Sequence, residues 1–356
     1  DVTDGSRQLE LAVQMAEGKK KHLLNGKPKR TADLKGLVPS VTFTPDDLEL
    51  AKGAMSVRRA ALDALGSQLS ANHYLIRRDY EKVLRHKNRL LKDEAPAALV
   101  GAMNETLVTC GAQLSCYRAA LFEKLAASMA SYYAEITDGH ERLDAGFVPS
   151  WEEHDPLSFA TRTFGRDEAR EALADALARR GGEERVRKRA LVGPHADRIE
   201  FFIDGKNAAL FGSQGQQRSV VLAFKLAEAT LIQDILRQKP VLLLDDVMSE
   251  LDAARRRALV AFISGDIQTF ITTTNLAYFD DDLLGGARIV ELEKPRKTGE
   301  MPDEDRMFHV KHSPIDAQPA RGEAEERDGQ PSDPAEQPSA RIEGDSCCLL
   351  YPSDAA

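Results

Sequence analysis

The sequence predicts an α/β fold with a mainly helical lobe inserted into it. After residue 185, short apolar segments alternate with helical ones, which is typical of a sheet packed against helices. Residues 55–138, by contrast, show helical periodicity almost throughout. With 42% hydrophobic residues, a chain of 356 residues can bury a substantial core.

Composition excludes several classes of protein. No run of 18 apolar residues is present, so no transmembrane helix is predicted. The first residues lack the basic and apolar segments of a secretory signal. The four cysteines lack zinc-ligand spacing and are too few for a disulfide framework; they are Cys110, Cys116, Cys347 and Cys348. We therefore expect a cytoplasmic protein that makes no membrane contact.

The net charge of −9 is unevenly distributed. Residues 295–356 hold 7 basic and 14 acidic side chains, whereas residues 1–294 hold 41 and 43. The 295–356 segment is also rich in Pro, Gly and Ser, so we predict a disordered acidic tail whose last residues look adapter-derived. Overall acidity therefore does not exclude a nucleic-acid partner.

The N-terminal part predicts strands followed by helices. Residues 9–16 and 19–24 read as paired strands, Asn25-Gly26 as a tight turn, and residues 41–44 as a strand. Pro45 is expected to open a helix. Two long helices are predicted within residues 55–138, and a further helix over 166–180 that stops at Gly181-Gly182.

The C-terminal half predicts the main sheet. Strands are expected over 189–192, 199–203 and 208–211, with a hairpin turn at Asp204-Gly205. A buried helix follows over 213–236, because it is apolar on most sides. Further segments complete the alternation: a central strand at 241–244, a helix at 255–263, and buried strands at 268–274 and 287–292.

Two acids end the predicted central strand. Asp245 and Asp246 follow the apolar run at 241–244, at the edge where α/β folds bind nucleotides. Asp245 is predicted to hold Mg²⁺, which prefers carboxylates and phosphate oxygens, and Asp246 to polarise the attacking water. An ordinary strand with an acidic turn explains this short segment about equally well.

The start of the 213–236 helix is a candidate phosphate-binding element, because a helix N-terminus presents free N–H groups. The residues concerned are Ser213, Gln214, Gly215, Gln216, Gln217 and Arg218. A helix capped by Ser213 is the simpler interpretation of this segment alone. A second candidate follows the two acids and consists of Ser249, Glu250, Leu251 and Asp252. Thr274, at the end of the next strand, is a candidate switch residue.

The order and spacing of these segments resemble those of the RecF family, which is related to SMC-type ATPase heads. They match its signature motif (213–218), Walker B acids, D-loop (249–252) and switch. The resemblance covers about residues 8–293 and implies an ABC-type P-loop ATPase head. It divides the chain into head strands (1–50), a helical arm lobe (51–140), the C-terminal part of the head (141–294) and the tail (295–356).

The resemblance implies an ATP- and Mg²⁺-dependent DNA-binding protein of recombinational repair, replication and the SOS response. It would form a homodimer around ATP on double-stranded or gapped DNA, with RecR- and RecO-like mediator proteins as partners. The signature and D-loop would meet the nucleotide of the other subunit. Asp246, where many relatives of the wider class have Glu, predicts slow hydrolysis because its carboxylate reaches less far.

One required element is missing from the sequence. No G-x-x-x-x-G-K-[S/T] motif occurs, although this Walker A loop holds the β- and γ-phosphates. In the family the loop lies near the N-terminus, so we expect a truncated sequence that is inactive as an ATPase by itself. The alternative interpretation is a non-catalytic SMC-like scaffold that binds DNA or proteins. A P-loop kinase fits poorly, because kinases lack the signature helix and D-loop.

Two basic segments are candidates for DNA contact, since Lys and Arg bind phosphates without reading sequence. One is the hairpin with Lys19, Lys20 and Lys21. The other is one face of the helix over residues 76–92, which carries Arg77, Arg78, Lys82, Arg85 and Arg89. A solvated helix face is the simpler interpretation for any single residue of the second group.

Overall fold

The computed structural model describes residues 2–3, 8–16, 19–152, 163–264, 267–279 and 281–291. The predicted tail over 295–356 lies outside these residues. The described residues up to Tyr278 belong to one compact unit, and those from Phe279 onward to a second, which contains the short helix α10 (Asp281–Gly285). Within the described residues, no helix combines the length and apolarity that crossing a membrane requires.

The first unit contains nine described helices and eleven described strands. The helices are α1 Glu49–Lys52, α2 Met55–Leu69, α3 Ala71–Lys92, α4 Ala97–Ile136, α5 Arg166–Arg187, α6 Ala208–Phe211, α7 Gln214–Leu236, α8 Val247–Glu250 and α9 Ala253–Ile263. The strands are β1 Val2–Thr3, β2 Gln8–Leu9, β3 Leu11–Ala16, β4 Lys19–Leu24, β5 Lys27–Lys29, β6 Ser40–Phe43, β7 Leu143–Val148, β8 Arg198–Ile203, β9 Lys206–Asn207, β10 Val241–Asp245 and β11 Thr269–Thr272. Short 3₁₀ helices lie at Thr31–Leu34, Pro45–Leu48, Pro194–Ala196 and Leu276–Tyr278.

The strands form separate small sheets. The parallel sheet has the order β11-β10-β6, so β10 is central, as predicted. Antiparallel sheets form from β3-β4-β5 and from β7-β8-β9, and β1 pairs with β2. The predicted turns at Asn25-Gly26 and Asp204-Gly205 are confirmed, since all four residues have positive φ.

Three helices, rather than the two expected, fill residues 55–138. The 40-residue helix α4 packs against α3 and α5 and also against α7. It therefore connects the helical lobe to the helix that begins at the candidate signature. The lobe core lies between α3, α4 and α5; its buried residues are Tyr80, Leu107, Leu114, Leu173, Ala176, Leu177 and Val192.

Buried charges join the lobe to the segment before β8. Arg118 on α4 donates hydrogen bonds of 2.8 and 2.7 Å to the two carboxylate oxygens of Asp63 on α2. It donates another, of 2.6 Å, to the carbonyl oxygen of Pro194. Burial alone would raise the pKa of the Asp63 carboxyl, but the Arg118 charge and the hydrogen bonds hold it well below its usual range.

The Gly181-Gly182 pair does not end α5, which contradicts the prediction. The helix continues to Arg187 because side-chain pairs support its last turns. Glu183 forms ion pairs with Arg180 at 3.0 Å and Arg187 at 2.9 Å. The next residue, Glu184, pairs with Lys87 on α3, with 2.6 Å between Glu184 Oε2 and Lys87 Nζ.

Two predicted strands are wrong, because other contacts replace strand pairing in these segments. Residues 189–192 form no strand, because the N–H groups of Ala190 and Leu191 bind the side chains of Asn88 and Glu184 instead of a neighbouring strand. Residues 208–211 form the helix α6, which the Asn207 side chain caps by accepting a 3.0 Å hydrogen bond from Ala209 N.

The C-terminal strands also differ from the prediction. Residues 287–291 form no strand, and Leu292 lies outside the described residues. Strand β11 is shorter than expected and is not buried, because Phe270 is 57% exposed. Leu243 on β10 is 37% exposed, so the described parallel sheet is covered on one face only.

Candidate functional site

The two predicted metal-site acids lie at the carboxyl end of the parallel sheet. Asp245 is directly opposite Thr272 in the β10–β11 register. The Thr272 hydroxyl donates a 2.6 Å hydrogen bond to Asp245 Oδ1. The same hydroxyl accepts a 3.2 Å hydrogen bond from the backbone N–H of Asp246. Thr272 therefore orients one acid and contacts the backbone of the next.

Asp246 has the properties of a functional residue. Its φ of 48° lies in the left-handed region, which costs a non-glycine residue roughly 1–3 kcal/mol and is concentrated at functional sites. Its Oδ1 atom is buried, yet it accepts no hydrogen bond from any described residue. A buried oxygen without a partner is costly, so this atom is suited to a ligand, a water or a cation.

These oxygens fit Mg²⁺ in part. Asp245 presents an exposed carboxylate, which is a hard oxygen donor. Among the described residues, no group of three or more His, Cys, Asp or Glu side chains is arranged to hold a metal. One carboxylate suits a magnesium ion that also binds phosphate oxygens, since this ion is usually held by one or two carboxylates together with phosphates.

The candidate signature forms the first turn of α7. Ser213 caps the helix by accepting a 3.2 Å hydrogen bond from Gln216 N, and the Gln216 side chain in turn accepts one of 2.8 Å from Ser213 N. Gln216 Nε2 also donates to Glu141 at 2.8 Å. The interpretation of this segment as a helix capped by Ser213 is therefore confirmed. The cap is compatible with a signature role for the same turn.

The other signature residues occupy different environments. Gln214 is exposed, and Gly215 and Arg218 are half-buried. Gln217 is buried and donates hydrogen bonds to the carbonyl oxygens of Ala208 and Gly212, so its side chain holds α6 against α7. Gln217 is thus engaged within its own chain, whereas Ser213 and Gln214 face solvent.

The candidate D-loop follows directly on the metal-site acids. Ser249 Oγ donates a 2.8 Å hydrogen bond to Asp246 O, and Leu251 is buried. Asp252 caps α9 by accepting a 3.0 Å hydrogen bond from Arg255 N. Glu250 forms an ion pair with Arg218 of the signature turn. Signature and D-loop are therefore in direct contact.

A small cavity of about 60 Å³, open to solvent, lies where the signature helix, the D-loop and the segment after β6 meet. Its lining is mainly apolar with charged groups among it: Phe43, Thr44, Pro45, Asp47, Leu48, Arg218, Val221, Leu222, Val247, Glu250 and Leu251. The segment after β6 therefore belongs to the same region as the predicted motifs.

The predicted switch residue Thr274 does not contact the acids. It is exposed and lies in a bend two residues beyond the end of β11. Thr272 occupies the position beside Asp245 because the parallel register pairs these two residues. From the sequence alone, the three consecutive threonines 272–274 cannot be ranked, since only the register decides which of them faces the acid.

Sequence analysis missed a charged contact inside the apolar helix α7. Lys225 Nζ donates to Thr42 O at 2.7 Å and lies 2.9 Å from Asp47 Oδ1. Burial raises the pKa of the neighbouring Glu228 carboxyl to about 7, although the Lys225 charge lowers it. The sequence signal that could have predicted this contact is the pair Lys225 and Glu228, which lie three positions apart in the apolar middle of the helix.

The basic face of α3 is largely neutralised. Arg77 pairs with Glu81 at 2.9 Å, and Arg78 with Asp79 at 3.1 Å. Arg89 lies 3.7 Å from Asp93. Lys82 and Arg85 are exposed, and no described carboxylate lies within ion-pair distance of either of them. The face therefore offers fewer free charges than its sequence suggests.

The hairpin sheet β3-β4-β5 retains its positive charge. Lys20, Lys27 and Lys29 are exposed, and the cross-strand register places them on one face. No described carboxylate lies within ion-pair distance of these three lysines. Lys21 is exposed on the opposite face, and the Lys19 side chain lies outside the described residues.

Comparison with known proteins gives sequence relatives and solved structures of similar fold. No protein-family model matches the chain. It is 35% identical over 291 residues to the DNA replication and repair protein RecF of Lactobacillus delbrueckii subsp. bulgaricus, covering 80% of this chain and 75% of that protein. It is 38% identical over 277 residues to the protein of the same name from Thermosynechococcus vestitus, covering 76% and 71%.

Solved structures agree with the sequence relatives. The chain superimposes with a TM-score of 0.68 and 30% identity on the recombination mediator protein RecF-ATPrS of the RecFOR pathway, covering 76% of this chain and 72% of that one. A structure of RecF-ATP from the same pathway gives a TM-score of 0.64. The predicted ABC-type ATPase head with a helical lobe is thus confirmed, and the chain belongs to the RecF family.

Proposed function

We propose that this chain acts in DNA replication and repair as an ATP-dependent DNA-binding protein that dimerises around ATP. The arrangement at the end of β10 supports this best: Asp245 is oriented by Thr272, and Asp246 presents a buried oxygen without a partner. Relatives named DNA replication and repair protein RecF, and a structure named RecF-ATP, support the same function.

The proposed chemistry assigns one role to each acid. Mg²⁺-bound ATP would supply the phosphoryl bond whose hydrolysis ends the dimeric state. Asp245 would hold the Mg²⁺, and Asp246 Oδ1 would accept a hydrogen bond from the attacking water. Since Asp is one methylene shorter than Glu, a water held about 1 Å too far away would react roughly 100-fold more slowly. We therefore expect slow turnover.

The signature and D-loop are proposed to act on the nucleotide of a second copy. Ser213 and Gln214 are exposed at the start of a 23-residue helix, and Asp252 is exposed in the D-loop. Two copies placed face to face would each complete the site of the other. RecR- and RecO-like mediator proteins are the further partners that we propose, since the solved relative belongs to the RecFOR pathway.

The DNA surface is proposed to be the hairpin face with Lys20, Lys27 and Lys29. These lysines form no ion pair with a described carboxylate, whereas most of the arginines of α3 are paired with acids. Val13 and Met15 lie on the same face, 56% and 74% exposed. Contacts to phosphates would make binding to double-stranded DNA independent of sequence and sensitive to salt.

Duplex binding by the chain, followed by fluorescence anisotropy at several salt concentrations, tests this proposal. The triple charge reversal K20E/K27E/K29E should weaken binding about tenfold or more, and the salt slope should fall by roughly 0.9 for each phosphate that is no longer neutralised. The matched control is R78E/K82E/R85E on α3, which should change binding much less. If only the control weakened binding, α3 would be the DNA surface. If the unaltered chain bound no duplex DNA, the proposal that the hairpin lysines form a DNA surface would be wrong.

A further inference from the structure

Two arginines join the signature helix to the D-loop within one chain. Arg218, in the first turns of α7, forms an ion pair with Glu250. Arg255, in the first turn of α9, donates a 2.8 Å hydrogen bond from Nε to Ser219 Oγ and also binds the Asp252 carboxylate. The D-loop is thus attached to the signature helix at both Glu250 and Asp252.

Arg255 forms the more enclosed of these two links. Its side chain reaches from α9 across the D-loop to α7, where Ser219 is fully buried. Its backbone N–H and its guanidinium both bind Asp252, so this carboxylate is held by two groups of the same residue. A charge-assisted bond of this kind is about twice as strong as a neutral one.

Gly215 lies against the Arg255 guanidinium. A Cβ atom at position 215 would lie 3.2 Å from a terminal nitrogen of Arg255 and 3.7 Å from its Cζ and its other terminal nitrogen. The φ of Gly215 is not positive, so its backbone conformation does not require glycine. Glycine in a helix costs roughly 0.5–1 kcal/mol of stability relative to alanine. We therefore attribute the glycine at position 215 to the limited space beside it, which the Arg255 guanidinium borders.

We propose that Arg255 is a positioning residue that couples the D-loop to the signature helix, and that Gly215 is glycine because it admits this arginine. The inference rests on the proposed function, in which both segments meet the nucleotide of a second copy. Coupling makes them one rigid unit, so a phosphate that engages the signature turn also places Asp252. Gly215 then has a structural role within its own chain before any nucleotide is bound.

The proposal that residue 215 is glycine because of Arg255 can be tested without nucleotide or DNA. Amide hydrogen exchange, read by mass spectrometry over residues 247–256, compares the unaltered chain with G215A, R255A and G215A/R255A. We expect roughly tenfold faster exchange in R255A, the change that follows removal of one hydrogen bond to a charged group, and a smaller increase in G215A, whose Cβ would crowd the guanidinium without removing it. The double variant should match R255A, because alanine at 215 acts only by displacing Arg255.

Matched controls separate this coupling from general destabilisation. G181A places alanine in a helix where no atom lies within 4 Å of the new Cβ, and R257A removes an exposed arginine two residues from Arg255. Neither should change exchange over 247–256. R255K keeps the charge but lacks the planar fork that reaches Ser219 and Asp252 together, so it should resemble R255A.

Specific outcomes would overturn the coupling. Unchanged exchange in G215A, or effects of G215A and R255A that simply add, would show that Gly215 does not act through Arg255. If R255A failed to fold, S219A would replace it, because it removes only the acceptor of Arg255 Nε and is expected to speed exchange about threefold or more. Failure of duplex binding would refute the proposed DNA surface and leave these exchange results unaffected.

Discussion

Thr272 and Asp245 face each other across two parallel strands, and the Thr272 hydroxyl donates a 2.6 Å hydrogen bond to Asp245 Oδ1. The same hydroxyl accepts from the backbone of Asp246. One threonine thus fixes the first acid and contacts the backbone of the second. Thr274, the residue predicted as the switch, is exposed two residues further on.

Removing the Thr272 hydroxyl should weaken cation binding. In T272V the shape of the side chain is kept, but Asp245 loses its hydrogen bond and becomes free to rotate. A hydrogen bond to a charged group contributes about 1.5–3 kcal/mol, so Mn²⁺ affinity should fall roughly tenfold or more. Electron paramagnetic resonance of Mn²⁺ titrated into the chain measures this change.

The matched control for this prediction is T274V. It removes a hydroxyl from the same run of threonines at an exposed position that does not contact the acids, so Mn²⁺ affinity should be unchanged. If T274V instead bound Mn²⁺ weakly and T272V bound it with normal affinity, Thr274 would be the residue that supports the metal site.

The sequence as printed should not bind ATP tightly by itself. Each of its Gly-Lys pairs lacks the upstream glycine and the following Ser or Thr that hold the β- and γ-phosphates. Isothermal titration of Mg²⁺-ATP into the chain should therefore give no tight binding. Saturable binding at low micromolar ATP would contradict this and would require another phosphate site within the chain.

The buried pair of Lys87 and Glu184 should be critical for stability. Both side chains are at most 1% exposed, and Lys87 Nζ lies 2.6 Å from Glu184 Oε2. K87M leaves the carboxylate buried without its cation, so the free energy of unfolding should fall by about 3–5 kcal/mol in urea denaturation. In K87M/E184Q the decrease should be smaller, because no buried charge remains.

K82M provides the control for this measurement, because Lys82 is exposed on the same helix and its removal should change stability by less than about 0.5 kcal/mol. A decrease in K87M no larger than that in K82M would show that the pair is not buried as described. Unlike Lys82, Lys87 is fully buried and points its charge into the lobe.

Stability should decrease as the pH rises from about 4.5 to 7, because of Glu228. Burial raises the pKa of this carboxyl to about 7 in the folded chain from an unfolded value of 4.5. The folded state therefore favours the protonated form, and the contribution is complete below the unfolded pKa and lost as pH passes the folded one. The difference corresponds to roughly 3 kcal/mol.

The variant E228Q isolates this effect, since it mimics the protonated form at every pH. Thermal unfolding at a series of pH values should show E228Q more stable than the unaltered chain above pH 7 and nearly equal to it at pH 4.5. Equal pH dependence in both chains would mean that Glu228 does not titrate in this range. His195 acts in the opposite direction, because burial lowers its pKa to about 4 and its contribution is lost as pH falls.

The local features of the site followed from the sequence. An apolar run ending in Asp245-Asp246, a Ser213 cap before a long apolar helix and the turn pairs with Gly are determined by neighbouring residues. Such features depend on strand and helix periodicity and on capping, which act over a few residues. The order and spacing of the motifs then sufficed to place the chain in its family.

Tertiary structure decided the features that depend on distant partners. The strand register placed Thr272, not Thr274, beside Asp245. Contacts with Asn88 and Glu184 kept residues 189–192 from forming a strand. Ion pairs removed most of the free charge that α3 shows in sequence, whereas the hairpin lysines kept theirs. The contact of Gly215 with Arg255, forty residues away, exists only in the folded chain, because folding brings a guanidinium nitrogen to 3.2 Å from the position that a Cβ at residue 215 would take.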